Sequence, residues 1–126
     1  MKAQQRAALS RGGDIGERMF SFTHEMFEHA NEYRNVFLAM VGTQSGVVVQ
    51  RLLQKLLIDL VHEDVKAASE RGTTSAVTID AVTQFIAGGL LGLLTWWLKA
   101  RPRPSAAEVN RLFRTCAMPA LTAVSK

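Results

Sequence analysis

The sequence predicts an all-α chain, folded as a single helical-bundle domain of about five main helices. Three observations predict it. Apolar residues recur at i, i+3, i+4 and i+7 along several segments, with no alternating strand pattern, repeat or low-complexity tract between them. Capping and stopping residues separate those segments: Gly42 with Thr43 and Ser45, then Gly72, Thr78, Pro102, Pro104 and Ser105. The chain has 126 residues, 48% of them apolar, which suffices for one domain around one core.

Residues 1–16 are expected to form a flexible N-terminal segment. Gly12, Gly13 and Gly16 break any helix there, and a short helix over Lys2–Leu9 would show mostly Ala on its apolar side. The first main helix is predicted over Glu17–Asn31, because Met19, Phe20, Thr23, Met26, Phe27 and Ala30 follow the helical period opposite a charged face. Its Met and Phe residues make an adaptable apolar surface, suited to core packing or to lining a cavity.

A shorter helix is predicted over Tyr33–Val41, burying Val36, Phe37, Met40 and Val41, with Gly42 as its C-terminal stop. Thr43 or Ser45 caps the third helix, Gly46–Arg71. That helix has a wide apolar face (Val48, Val49, Leu52, Leu53, Leu56, Leu57, Leu60, Val61), local charge-pairing spacing at Glu63 and Lys66, and Gly72 beyond its end.

Thr78 is the expected N-cap of the fourth helix, with Asp80 in its positive first turn and Lys99 at its end. The stretch Phe85–Leu98 within it carries no charge. Val82, Phe85, Gly89 and Trp96 share one face, while Ile86, Leu90, Leu93 and Trp97 spread over the rest. A helix with no polar side must be covered nearly all round: by the rest of this chain, by a second copy, or by lipid. Gly88, Gly89 and Gly92 each cost about 1 kcal/mol of helix propensity relative to Ala. Their missing side chains allow another helix to approach closely. The uncharged run Ala81–Leu98 spans 18 residues, the lower edge of what crosses a bilayer. Thr83, Gln84, Thr95 and the glycines dilute it, and the amphipathic faces elsewhere call for a soluble core, so no membrane span is expected. The fifth helix starts at a capping box, Ser105 with Glu108, and runs to about Ala117 with Val109, Leu112, Phe113 and Cys116 inward, until Pro119 interrupts it, with room for one final turn over Pro119–Val124.

Several function classes find no support. His24 and His29 diverge around a helix, His24 and Glu28 alone are a poor ligand set, and His62, Glu63 and Asp64 point apart. Gly88, Gly89 and Gly92 lack the strand and the Lys-Ser/Thr of a phosphate loop. Cys116 reads as a small hydrophobe without an activating base. No enzyme, metal or cofactor is therefore expected. The net charge of +4 is scattered except at Lys99-Ala100-Arg101-Pro102-Arg103, which reads first as compensation for a negative helix end and second as a nucleic-acid or lipid contact. One cysteine and the absence of an apolar leader suit a cytoplasmic protein.

The segments FEHANEYRNVFLAMVG and FIAGGLLGLLTWWLKARPRPSAAEVNRLF resemble the C-terminal regulatory domain of TetR-family transcriptional regulators. The resemblance covers about Glu17–Leu121. It implies a two-fold homodimer built from the last two long helices, here with Gly88, Gly89, Gly92, Leu93, Trp97, Val109, Leu112 and Phe113 at the interface. It implies a cavity for a small, hydrophobic effector, which helix faces assign to Phe20, Met26, Phe27, Phe37, Met40, Leu56, Phe85 and Trp96. It also implies that DNA is read by a helix-turn-helix lying outside this sequence, so no nucleic acid is expected to bind this chain alone. A stand-alone helical interaction module and a small membrane-associated protein are the alternative readings.

Overall fold

A computed structural model describes residues 16–40, 42–70 and 74–125. The expected flexible segment, the short helix over Lys2–Leu9, Val41 and the Gly72 stop lie outside the described residues. Five helices follow one another: α1 (Glu17–Glu32), α2 (Arg34–Met40), α3 (Gln44–Ser69), α4 (Ala76–Lys99) and α5 (Ala106–Val124). There is no strand among the described residues. The most extensive pairing is α3 against α4, followed by α5 against α1 and against α4.

The predicted stripe of α1 is the one that is buried. Met19, Phe20, Thr23, Phe27 and Ala30 face inward, and Met26 is half-buried. Gly16 caps the helix with a φ of 83°, and a Cβ there would strike Leu121 and Phe20, so glycine is required both by conformation and by space. Phe20 meets Phe113 edge-on, with ring centroids 5.7 Å apart. Beside them a polar pin joins α1 to α5: Thr23 Oγ1 donates to Asn110 Oδ1, and Asn110 Nδ2 donates to the Phe20 carbonyl at 3.1 Å.

Gly42, with a φ of 82°, turns the chain after α2 as its C-terminal stop. Thr43 then caps α3, its Oγ1 accepting the Gly46 N–H at 3.0 Å. A side chain on Gly46 would overlap the Met40 carbonyl oxygen, so this corner closes only with glycine. Short α2 buries no residue fully: Val36 is exposed, and Phe37, Leu38 and Met40 are half-buried. The expected burial of Val36 fails because seven residues make barely two turns and can press only one side against the bundle.

In α3 the buried residues are Leu57, Val61, Val65 and Ser69, all in its C-terminal half. Val48, Leu52 and Leu56 are exposed, contrary to the wide inward face predicted, because α3 extends past the helices that pack against its second half. Glu63 does not pair with Lys66; it lies 3.9 Å from Arg18 on α1.

The N-cap of α4 is Ser75, three residues before the expected Thr78; Ser75 Oγ accepts the Thr78 N–H at 3.2 Å. The capping box of α5 is formed, with Ser105 Oγ accepting from Glu108 N and Glu108 Oε1 accepting from Ser105 N. Pro119 does not end α5. Ala106, Val109, Phe113, Ala117, Leu121 and Val124 form one buried stripe across it, and burying Leu121 and Val124 outweighs the hydrogen bond that proline forfeits. Leu112 and Cys116, expected inward, lie along the edge of that stripe and are exposed.

Candidate functional site

Two features of α4 stand out, one on each side. On the side toward α2 and the first half of α3 is an apolar slot of about 170 Å³. Phe37, Leu38 and Met40 form one wall, Val47, Val49 and Leu53 a second, and Leu91, Leu94 and Leu98 the floor. Gln50, Thr95 and Lys99 are the polar side chains at its margin. The Thr95 hydroxyl is already engaged, donating to the Leu91 carbonyl at 2.9 Å. The walls belong to the least packed parts of the bundle, α2 with no buried residue and α3 before its buried half. The cavity resembles in size the roughly 150 Å³ cavities that hold a single benzene ring.

The other side of α4 faces outward. Ala81, Phe85, Gly88, Gly89, Gly92 and Trp96 recur at helical spacing and are all exposed, Phe85 by 68% and Trp96 by 52%. A Cβ built on Gly88, Gly89 or Gly92 meets nothing within 4 Å. These glycines therefore serve no close contact among the described residues. They leave a shallow, uncharged surface between two large aromatic side chains. By length and composition alone α4 is also apolar enough to cross a membrane, with a mean hydropathy of 1.6 and 28% of its most apolar window buried.

The two predicted residue sets divide accordingly. Of the cavity residues, Phe37 and Met40 line the slot. Phe20 and Phe27 are core residues, 3% and 0% exposed, and Met26 packs against that core. Leu56, Phe85 and Trp96 are on the outside: Phe85 and Trp96 lie across α4 from the slot, and Leu56 lies along α3 beyond the residues that line it. Of the interface residues, Gly88, Gly89, Gly92 and Leu112 are exposed and Leu93 is half-buried. Trp97, Val109 and Phe113 are inside the chain's own core instead. Trp97 meets Phe27 edge-on at 5.4 Å, and its Nε1 donates to the Pro104 carbonyl at 2.7 Å, a bond that ties α4 to the loop before α5. Residues such as Leu91, Leu94, Leu98 and Lys99 were missed as slot lining. Their i, i+3, i+7 spacing was visible, but a helix apolar all round does not say which of its sides borders a void.

A larger cavity, about 290 Å³, lies between α1, α3 and α4 over Met19, Phe22, Leu57, Val61 and Leu90. It is bordered by Arg18, whose Nε and Nη2 both donate to Asp64 Oδ1. Burial raises the Asp64 pKa above the usual carboxylate value, more than the hydrogen bond and charge of Arg18 lower it, with Glu63 adding to the rise. Because an ion pair already fills the polar margin of this cavity, it is less free than the slot to take a ligand. Among the described residues no group of three or more His, Cys, Asp or Glu is placed to hold a metal ion.

The end of the bundle near the slot is basic. Arg34 Nε donates to the Leu98 carbonyl at 2.7 Å, and Arg103 stacks over the Trp97 ring at 5.2 Å while bonding Asn31. Arg34 thus supplies the cation that the negative end of α4 calls for.

Compared with known sequences, residues 17–117 match the family described as transcriptional regulator C-terminal region. No curated protein and no solved structure matches the chain.

Proposed function

The chain belongs to the transcriptional regulator C-terminal region family, of TetR type, and from that membership we propose that it is a dimerising, effector-sensing module that controls a DNA-binding part. Domains of this kind generally dimerise and bind small effectors. The observation that carries the reading is the outer face of α4. Phe85, Gly88, Gly89, Gly92 and Trp96 make an uncharged, exposed stripe that nothing among the described residues covers, and α5 adds the exposed Leu112. An exposed apolar surface of this kind marks an interaction site, and the bare glycines let the backbone of a second copy come close. The core residues Trp97, Val109 and Phe113 support that face from behind.

The slot on the other side of α4 is the effector site in this reading. Filling it would draw α2 and the first half of α3 onto α4, against whose outer face the second copy sits. A ligand that binds one arrangement of these helices better than another shifts the population toward it. No catalytic step is proposed, and the cytoplasm is the compartment such a regulator requires.

Light scattering on a sizing column without detergent tests the dimer. A particle of twice the 13.9 kDa chain mass is the expected result. A monodisperse monomer would refute the interface, and solubility only in detergent would assign α4 to a membrane instead.

A further inference from the structure

The margin of the slot has a sign. Among the described residues its lining contains no Asp or Glu and one cation, Lys99. The usual task of a lysine at a helix end is to offset the carbonyl dipole, but here Arg34 holds the Leu98 carbonyl and the Ala100 N–H serves that of Trp97. Among the described residues Lys99 makes no hydrogen bond or ion pair. Lys99 is thus the one charged side chain, without a partner among the described residues, in a lining whose other polar side chains are Gln50 and Thr95. The segment that leaves this margin carries Arg101 and Arg103, and none of Arg34, Lys99, Arg101 or Arg103 has a carboxylate within 4.0 Å among the described residues. An uncompensated positive end raises the local concentration of anions.

We infer that the slot takes a small apolar carboxylic acid as its anion, the hydrocarbon body between Phe37, Met40, Leu53 and Leu94 and the carboxylate against the Lys99 ammonium. This rests on the slot's being the effector site. The volume of about 170 Å³ limits the body to a medium alkyl chain or a single ring. Long acyl chains exceed it. Gln50 supplies a neutral amide at the same margin, able to donate a second hydrogen bond to the carboxylate.

Three probes of one length separate the possibilities: octanoate, octan-1-ol and octylamine. Binding is followed by titration calorimetry, and its place by NMR of the chain labelled at its methionine methyl groups. Met40 lines the slot, whereas Met118 on α5 is absent from the slot lining. Octanoate is expected to shift the Met40 signal and to bind about tenfold tighter than the alcohol, the worth of one partly exposed charge-assisted contact. That preference should shrink with added salt and vanish in Lys99→Gln, with alcohol binding unchanged. Equal binding of all three probes at Met40, or a preference for the amine, would overturn the carboxylate assignment while leaving the slot as an effector site. If no probe moves Met40, the slot is not the effector site and the inference falls with it.

Discussion

Substituting Gly92 by leucine separates folding from assembly, because the two respond with opposite sign. Within one chain the new side chain enters open space, since a Cβ on Gly92 has no neighbour within 4 Å. Replacing a glycine in the middle of α4 by a good helix former favours that helix by roughly 0.8 kcal/mol. In a dimer joined through this face, the same leucine lies where the partner's backbone would approach. An overfilled contact costs about 1–3 kcal/mol, and a two-fold axis presents the change twice. Even the low end, ~2 kcal/mol in total, weakens association roughly 30-fold. Sedimentation over a dilution series reads the dimer constant, and thermal unfolding at the lowest concentration reads the monomer. Gly92→Leu should raise the dissociation constant at least tenfold while leaving the dilute melting temperature equal or higher. A dimer constant unchanged within a factor of two would place the contact elsewhere. A melting temperature that falls in dilute solution would mean that Gly92 packs within the chain after all.

Two further substitutions probe the core and the ion pair. Trp97→Phe leaves the Pro104 carbonyl without its donor and opens space beside Phe27, so chemical denaturation should show a loss of about 2–3 kcal/mol with the dimer constant of the folded protein little changed; a selective loss of dimer would return Trp97 to the interface. Asp64 has a folded pKa raised by burial, so between the ordinary carboxylate value and that raised value the native chain keeps a proton that the unfolded chain has released. Its contribution to stability is therefore complete at low pH and is lost as pH rises through that window. Asp64→Asn should remove this component, and urea unfolding of wild type and variant, followed upward from the ordinary carboxylate pKa, should show the wild type losing stability relative to the variant as pH rises. The opposite trend would mean that Arg18 dominates the pair.

Much of the fold was legible in local pattern. The stripe of α1, the Ser105–Glu108 capping box and the Gly42 turn each depend on residues within a few positions of one another, where side-chain spacing and backbone sterics decide the outcome. Pro119 shows the limit. Its local effect is to break a helix, yet Leu121 and Val124 reach the core beyond it, and their burial keeps α5 intact. The outcome depends on α1 and α4, which are remote in sequence.

The site divides in the same way. The uncharged run, the glycines and the basic residues after α4 could be read directly, and so could the need for something to cover that helix. Which of its sides carries the core, the slot or the bare stripe could not, because a helix apolar on every side has no periodicity to orient it. Tertiary packing decided that Trp97 belongs with Phe27 and Pro104, that Trp96 and Phe85 face outward, and that Leu94, Leu98 and Lys99 border a void. The sequence by itself determined the helices and the kind of surface each carries, since these follow from short-range sterics and hydrophobic spacing. Only the packing of α2, α3 and α5 around α4 decided which surface is core, which is cavity and which is left open, because that choice is made by neighbours distant along the chain.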